Sequence, residues 1–156
     1  MSTQPTFSVW VDGVGLLAPG MPSWTAASAC LRHEQPWAWE PSVLPSPDLL
    51  PAAERRRASR VIKLVMATAC EAIQHAHADA SSLATVFSAS TGDGHNCHAL
   101  CEALASDDRS ISPTRFHNSV HNTAAGYWCI AAKSMQPSQT LAGYSHSFQA
   151  GLLEAA

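Results

Sequence analysis

Charged residues are scarce in this chain. Only 13% of its 156 residues are Asp, Glu, Lys or Arg, against about 25% in an average soluble domain. Nine basic and twelve acidic residues give a net charge of −3 at pH 7, so the basic field of a nucleic-acid-binding protein is absent. Hydrophobic residues make up 46% of the chain, which excludes the apolar-poor composition of a disordered protein. We therefore expect one domain with a real core, and the low charge suggests that a partner covers part of its surface.

Targeting and membrane-spanning patterns are also missing. No Lys or Arg precedes the first apolar stretch, so a secretory signal peptide is not predicted. The uncharged run at residues 116–132 contains His117, Asn118, His121 and Asn122, which a membrane span would not tolerate cheaply. The five cysteines are odd in number and mostly have apolar neighbours, as reduced core cysteines of cytosolic proteins do. These patterns predict a cytoplasmic protein without a membrane span.

Apolar periodicity predicts the element order β–α–α–β–α–α–β–α. Strands are predicted over residues 7–11, 83–89 and 138–142, and helices over residues 24–32, 52–78, 96–105, 119–134 and 147–156. Turns are predicted at residues 12–15, 91–94 and 112–114, and the proline-rich stretch 34–51 is predicted to be irregular. This order is typical of a layered α/β domain.

Potential metal ligands occur in two clusters that lack the features of known sites. His117 and His121 are four residues apart, as paired zinc ligands on a helix are, but Asn118 stands where a zincin has its glutamate. The His and Cys residues of segment 95–101 form only one knuckle-like unit and contain no Cys-x-x-Cys pair. No metal site is therefore predicted.

A strand that enters a helix through a tight turn is predicted at residues 140–150. Such a turn lifts one side chain, here Ser145, to the helix N-terminus, where the dipole and free N–H groups can form an oxyanion hole. Gly143-x-Ser145 matches half of the G-x-S-x-G elbow, but Ser147 stands at the final position and no histidine follows His146. A hydrolase triad in that chain order is therefore excluded, and an ordinary helix start with Ser145 as its cap stays an alternative.

Two further motifs are less specific. The run Glu54-Arg-Arg-Arg57 lies at a helix start, where the dipole does not favour cations. It is either a solvated helix face or a contact for a phosphate or carrier protein through Arg55, Arg56 and Arg57. The turn at residues 91–94 lies between a strand and a helix but lacks the G-x-G-x-x-G spacing, so no nucleotide cofactor is expected.

Four segments match one family in chain order. These are residues 11–19, 54–59 and 86–94, and the more specific run Ser112-Pro-Thr-Arg-Phe-His-Asn-Ser-Val-His-Asn-Thr-Ala-Ala-Gly-Tyr-Trp128. The first three resemble the opening strand and turn, the following helix, and the second core strand with its glycine turn in β-ketoacyl synthases. The fourth resembles a divergent branch, the β-ketoacyl synthase-like N-terminal domain of bacterial aryl-polyene and pigment clusters. The resemblance covers essentially the whole chain.

The resemblance implies a thiolase-like α/β fold. Residues 1–156 would form its N-terminal half, a layered α-β-α domain with a mixed sheet, whereas the complete fold has two similar halves and dimerises. It also implies that the stretch from Ser112 to Ala142 lines the dimer interface and the acyl pocket. The residues implicated at that surface and in the turn that follows are Phe116, His117, Asn118, His121, Asn122, Gly126, Tyr127, Trp128, Tyr144 and Phe148.

One departure from the family pattern concerns catalysis. An active condensing enzyme carries a cysteine at the turn before its last helix, where alignment places Ser145 or the adjacent Tyr144, and no cysteine follows Cys129. A serine hydroxyl has a far higher pKa than a thiol, so a helix dipole alone cannot ionise it. The family's two catalytic histidines belong to the second half of the fold, and His146 is expected to point away from Ser145.

These features together suggest a non-catalytic subunit similar to a chain-length factor. It would pair with a catalytic ketosynthase as a heterodimer, or with itself as a homodimer, shape the acyl channel and work with an acyl carrier protein, without a cofactor. Two alternatives stay open. One is an acyltransferase or thioesterase that uses Ser145 as its nucleophile. The other is a truncated ketosynthase fragment, because the sequence stops in an apolar helix at Ala156.

Overall fold

A computed structural model describes residues 8–156 of the chain. The helices and strands, in chain order, are α1 (Trp24–Leu31), α2 (Ala52–Arg57), α3 (Arg60–Ala76), β1 (Thr85–Ser88), α4 (Gly94–Ala105), α5 (Pro113–His117), α6 (Thr123–Ala132), β2 (Ser138–Leu141) and α7 (Ser147–Ala155). Single 3₁₀ turns precede β1 at Ala80–Ser82 and α7 at Tyr144–His146. None of the helices within residues 8–156 is both long enough and apolar enough to cross a bilayer.

The core lies where α3 packs against α6. Apolar residues recur along α3 at helical spacing, which gives the helix one buried face with Ile62 and Met66 at its centre. Tyr127 and Trp128 of α6 lie against that face and are each 2% exposed. Burying a large apolar side chain contributes about 1.5–3 kcal/mol relative to leaving it in water, so this contact is a major source of stability.

The two strands form a small parallel sheet between helices. Val86 of β1 pairs with Gln139 of β2, and the next two residues of β1 pair in order with the next two residues of β2. Phe87 packs against the α3–α6 core, whereas Ser88 lies against Gly151 of α7. Because successive side chains of a strand point to opposite faces, α7 covers one face of the sheet and the core covers the other. The result is an α-β-α layered arrangement, in which the crossover between the parallel strands carries α4, α5 and α6.

The N-terminal segment differs from the prediction. Phe7 of the predicted strand lies outside the described residues, and residues 8–11 form no strand. Residues 13–16 run along α3 instead of turning, because Gly13 and Gly15 approach the helix backbone too closely for a Cβ atom. The Glu71 carboxylate of α3 then accepts the Leu16 N–H at 2.8 Å.

The helix predicted over residues 52–78 is divided into α2 and α3. The backbone is extended at Ala58, and the Ser59 hydroxyl accepts the Ile62 N–H at 3.4 Å as the cap of a new helix. The turn predicted at residues 112–114 begins α5, with Ser112 as its cap and Pro113 as its first residue. The helix after the Ser23 cap and the irregular stretch 34–51 are confirmed.

Glu71 holds two segments on α3 and offers a test of this packing. One carboxylate oxygen accepts the Leu16 N–H and the other accepts the Trp24 N–H at 2.7 Å, at the start of α1. Glu71→Gln leaves only one acceptor oxygen and removes the charge at a helix N-terminus, so it should lower the free energy of unfolding by about 1–3 kcal/mol. Urea denaturation measures this loss.

Glu102→Gln is the matched control. Glu102 is exposed and lies 3.4 Å from the His98 imidazole, so its substitution should change the free energy of unfolding by no more than about 0.5 kcal/mol. Equal stability of the two variants would contradict the role given to Glu71.

Candidate functional site

The turn between β2 and α7 lifts Tyr144, rather than Ser145, to its apex. Tyr144 has a left-handed backbone with φ of 57° and is 89% exposed. The buried Ser147 hydroxyl donates to the Tyr144 carbonyl at 2.8 Å and accepts the Gly143 N–H at 2.9 Å, which closes the turn. A left-handed tyrosine is strained by about 1–2 kcal/mol, and strained residues of this kind mark the nucleophile position in strand–turn–helix elbows.

Ser145 and His146 follow the apex within the 3₁₀ turn, and both are exposed. Among the described residues, neither side chain forms a hydrogen bond. Activation of a serine requires a base within hydrogen-bond reach, so the described geometry provides none for Ser145.

The following helix approaches the sheet closely at Gly151. A Cβ atom on Gly151 would lie 2.6 Å from Ser88 Oγ and 2.9 Å from Ser88 Cβ. Phe148 and Leu152 lie on the exposed side of the same helix, at 74% and 53% exposure. The glycine therefore fixes how near α7 and the apex turn lie to β1.

The segment before α6 carries most of the residues predicted for the site. Asn118 is buried and its Nδ2 donates to the Arg57 carbonyl at 2.8 Å. Phe116, His121 and Asn122 are exposed. His117 ends α5, whereas His121 lies in the turn before α6, so the two histidines do not share one helix as paired zinc ligands would. Gly126 is exposed on α6.

Tyr127 and Trp128, which were predicted as substrate or interface residues, belong to the buried core of the described chain. Each is 2% exposed, because α6 turns this side toward α3. The His117 ring stands edge-on to Tyr127, with ring centroids 6.1 Å apart. Burial raises the pKa of the Tyr127 phenol, and the negative charge of Glu54 raises it further while Arg57 opposes the change.

A cavity of about 580 Å³ adjoins this segment. Its walls come from α3, the end of β1 with the turn that follows, α4, and the segment before α6. Asn118 and His121 of the predicted set line it, together with Asp93, Cys97 and Thr140, which were not predicted as site residues. Ligand pockets typically measure about 300–1,000 Å³, so this cavity is large enough for a small molecule or an acyl chain.

The cavity separates the predicted residues into two groups. Tyr144, Ser145 and Phe148 are not among its lining residues, and neither are Tyr127 and Trp128. A signal for two of these residues did exist, because Asp93 lies within the turn at residues 91–94 and Thr140 lies in the last predicted strand. Parallel pairing brings those two chain positions together, and the pairing was not predicted.

The basic run on α2 is partly engaged within the chain. Arg55 donates to the Asp48 carboxylate at 3.1 Å and to the Leu50 carbonyl at 3.1 Å. Arg57 lies 3.4 Å from Glu54, whereas Arg56 is exposed and takes part in no ion pair among the described residues. Arg55 is thus a structural clamp on the proline-rich segment, and Arg56 and Arg57 are the more accessible cations.

The described part of the chain contains no group of three His, Cys, Asp or Glu side chains arranged to hold a metal ion. Cys97 and Cys101 are exposed on α4 as free thiols, and His98 lies near Glu102. The residues of segment 95–101 therefore lie along one helix without converging on a common point.

Comparison with known proteins identifies a family and a solved relative. The family model for the β-ketoacyl synthase N-terminal domain matches residues 29–156. A chain in the solved structure of the ketosynthase ApeO in complex with its chain length factor ApeC, from Xenorhabdus doucetiae, is similar with a TM-score of 0.74 and 28% sequence identity. The match covers 96% of this chain and 61% of that chain, so the present chain spans less than two thirds of its length. No curated protein matches the chain.

Gly151 provides a test of the close contact between α7 and the sheet. Gly151→Ala should lower the free energy of unfolding by about 1–3 kcal/mol, because the new methyl group collides with Ser88 and α7 must shift. Gly126→Ala is the control: no heavy atom lies within 4 Å of its added Cβ, so it should raise stability by up to about 1 kcal/mol through helix propensity. Thermal unfolding distinguishes the two, and equal melting temperatures would refute the contact.

Proposed function

The chain belongs to the β-ketoacyl synthase N-terminal domain family, and on this basis we propose that it is a non-catalytic subunit, similar to a chain-length factor, that pairs with a catalytic ketosynthase. Its fold is the thiolase-like fold of that family, as the sequence resemblance predicted. The proposed setting is acyl-chain assembly in the cytoplasm, for an aryl polyene or a related pigment, as the resemblance of residues 112–128 implies.

The nature of the apex residue carries the non-catalytic part of the proposal. Condensing enzymes attack an acyl thioester with a cysteine thiolate, whose pKa a helix N-terminus can lower. Here the strained apex presents the phenol of Tyr144 instead of a thiol, and its side chain forms no hydrogen bond among the described residues. A phenol without a neighbouring base does not supply that nucleophile. The alternative with Ser145 as nucleophile has no supporting contact.

The free edge of β2 supports the pairing part. The carbonyls of Pro137 and Leu141 accept N–H groups from Thr85 and Ala89, so they face β1. Because residues of a strand alternate in direction, the backbone groups of Ser138 face the opposite edge, and no third strand covers that edge within residues 8–156. An unpaired edge is a ready template for a strand of another chain.

Exposed apolar side chains occur in the helix and the loop that lead into β2. Ile130 of α6 is 46% exposed and Met135, in the loop that leads into β2, is 97% exposed. Exposed apolar side chains on a chain of low overall charge are typical of a surface that binds another protein. The solved relative is a chain in a complex of a ketosynthase with its chain length factor, and we take a ketosynthase as the partner of this chain.

The remaining roles follow from this pairing. The 580 Å³ cavity would form part of the acyl channel, and Arg56 and Arg57 would be the contacts for an acyl carrier protein. Simultaneous charge reversal of both arginines with unchanged carrier binding would refute that contact.

The pairing is tested by a substitution at the β2 edge. Ser138→Pro removes the outward N–H and places a ring against an incoming strand, whereas Ser138→Ala leaves the backbone able to pair. Both variants lose the same hydroxyl, which accepts from Thr85 Oγ1 at 2.9 Å. On co-expression with a catalytic ketosynthase of the aryl-polyene type, Ser138→Pro should reduce the affinity of pairing by about tenfold or more, equivalent to 1.4 kcal/mol. Retained pairing by the proline variant, or no pairing by the unmodified chain, would contradict the proposal.

The apex assignment is tested by introducing a thiol at each of the two positions. Tyr144→Cys should become acylated by an acyl thioester of N-acetylcysteamine about tenfold faster than Ser145→Cys, because only the apex presents its side chain above the helix N-terminus. Intact-protein mass spectrometry follows the added acyl group, with the unmodified chain and its five cysteines as the baseline. Faster labelling of Ser145→Cys would place the apex one residue later, and acylation of Ser145 in the unmodified chain would contradict a non-catalytic role.

A further inference from the structure

Gly126 lies inside α6, and no contact within the described residues accounts for a glycine there. A glycine inside a helix destabilises that helix relative to alanine. Gly151 of α7 has a packing reason, because an added Cβ atom would collide with Ser88. Around Gly126, by contrast, no heavy atom of residues 8–156 beyond its chain neighbours and the helix backbone lies within 4 Å of an added Cβ. The space next to Gly126 is therefore not filled by this part of the chain.

An open groove of about 470 Å³ lies beside Gly126, between α6 and β2. On the helix side its lining includes Ala125 and Cys129 as well as Gly126, and on the strand side it includes Ser138 and Thr140. Because the residues of α6 that line it are all small, the groove has room for a bulky side chain that comes from outside.

The groove adjoins the unpaired edge of β2. The carbonyls of Pro137 and Leu141 face β1, so the backbone groups of the alternate residues, Ser138 and Thr140, face the edge that no third strand covers within residues 8–156. These same two residues line the groove. A strand added at this edge would therefore run along the groove, and the side chains on its α6 side would point into it.

We propose that this groove receives a bulky apolar side chain from a strand of the ketosynthase partner, and that Gly126 determines which partner strands fit. This inference rests on the proposed function, because it names how the same edge selects its partner. An extended segment can pair with the free backbone groups of Ser138 and Thr140 while its alternate side chains enter the groove. A partner helix would leave those groups unpaired, because the backbone groups of a helix bond to one another.

Gly126→Leu tests the proposal by filling the groove. The leucine side chain occupies the space that the partner's side chain needs, so the affinity for a catalytic ketosynthase of the aryl-polyene type should fall about tenfold or more. The fold should persist, because leucine favours a helix over glycine and the space is open. Biolayer interferometry on the immobilised ketosynthase measures the affinity, and thermal unfolding shows that the variant is folded.

Gly94→Leu is the matched control. Gly94 is the first residue of α4, an added Cβ there also meets no atom within 4 Å, and the residue is not among those that line the groove. This variant should pair with the ketosynthase as tightly as the unmodified chain does. Equal affinities of Gly126→Leu and Gly94→Leu would overturn the proposal.

Thiol labelling provides a second readout that needs no substitution at Gly126. Cys129 lines the groove and is half-buried, whereas Cys101 is exposed on α4 and lies outside the groove. Pairing should slow the alkylation of Cys129 by iodoacetamide at least several-fold and leave Cys101 unchanged, because only Cys129 loses access to the reagent. Peptide mass spectrometry follows both rates. An unchanged rate at Cys129 in the complex would refute occupation of the groove.

The outcome is separable from that of the proposed function. Pairing that is lost in Ser138→Pro but kept in Gly126→Leu would refute this inference alone. Absence of pairing by the unmodified chain would refute the proposed function, and this inference with it.

Discussion

The contact between α3 and α6 determines where the remaining elements lie. Ile62 and Met66 meet Tyr127 and Trp128 in a close-packed interface, and such interfaces do not deform continuously. The α6 helix is preceded by the segment that carries Asn118, and it leads into β2, which pairs with β1. The cavity, the β2 edge and the apex turn therefore depend on this one buried contact, and Ile62 also lines the cavity.

The sequence predicts which segments are helices and strands better than it predicts the residues at which they begin and end. The Ser23 cap and the proline-rich stretch were predicted because they rest on local chemistry that tertiary packing does not override. The break at Ala58 was missed, although Ser59 is a cap residue, because no Gly or Pro marks it within residues 52–78. The alternating pattern at the N-terminus predicts a strand, but residues 8–11 form none. The segment that follows them is held against α3 by contacts such as that of Gly15. Such contacts join residues that are far apart in the sequence, so no periodic pattern of residue types predicts them.

The candidate site was predicted in part for the same reason. Residues 116–122 were found through the family resemblance, and Asn118 and His121 do line the cavity. The burial of Tyr127 and Trp128 could not be deduced, since a short apolar helix shows no strongly polar side by which to orient it. The apex lies at Tyr144, one residue before the predicted Ser145. A left-handed φ is unfavourable for a tyrosine, so the residue type gives no sign of it. This conformation arises only when β2 and α7 pack together and constrain the turn between them.

The left-handed conformation of Tyr144 bears on how the fold and the chemistry are related. Strain of this kind persists only where surrounding structure imposes it. Here the Ser147 hydroxyl bridges the Tyr144 carbonyl and the Gly143 N–H, while Gly151 lets α7 approach Ser88. Neither restraint involves a nucleophile, so the elbow can keep its geometry when the reactive residue is replaced. Under the proposed function, this restraint of the elbow matters without a thiolate, because shape and hydrogen bonding, rather than nucleophilicity, decide binding.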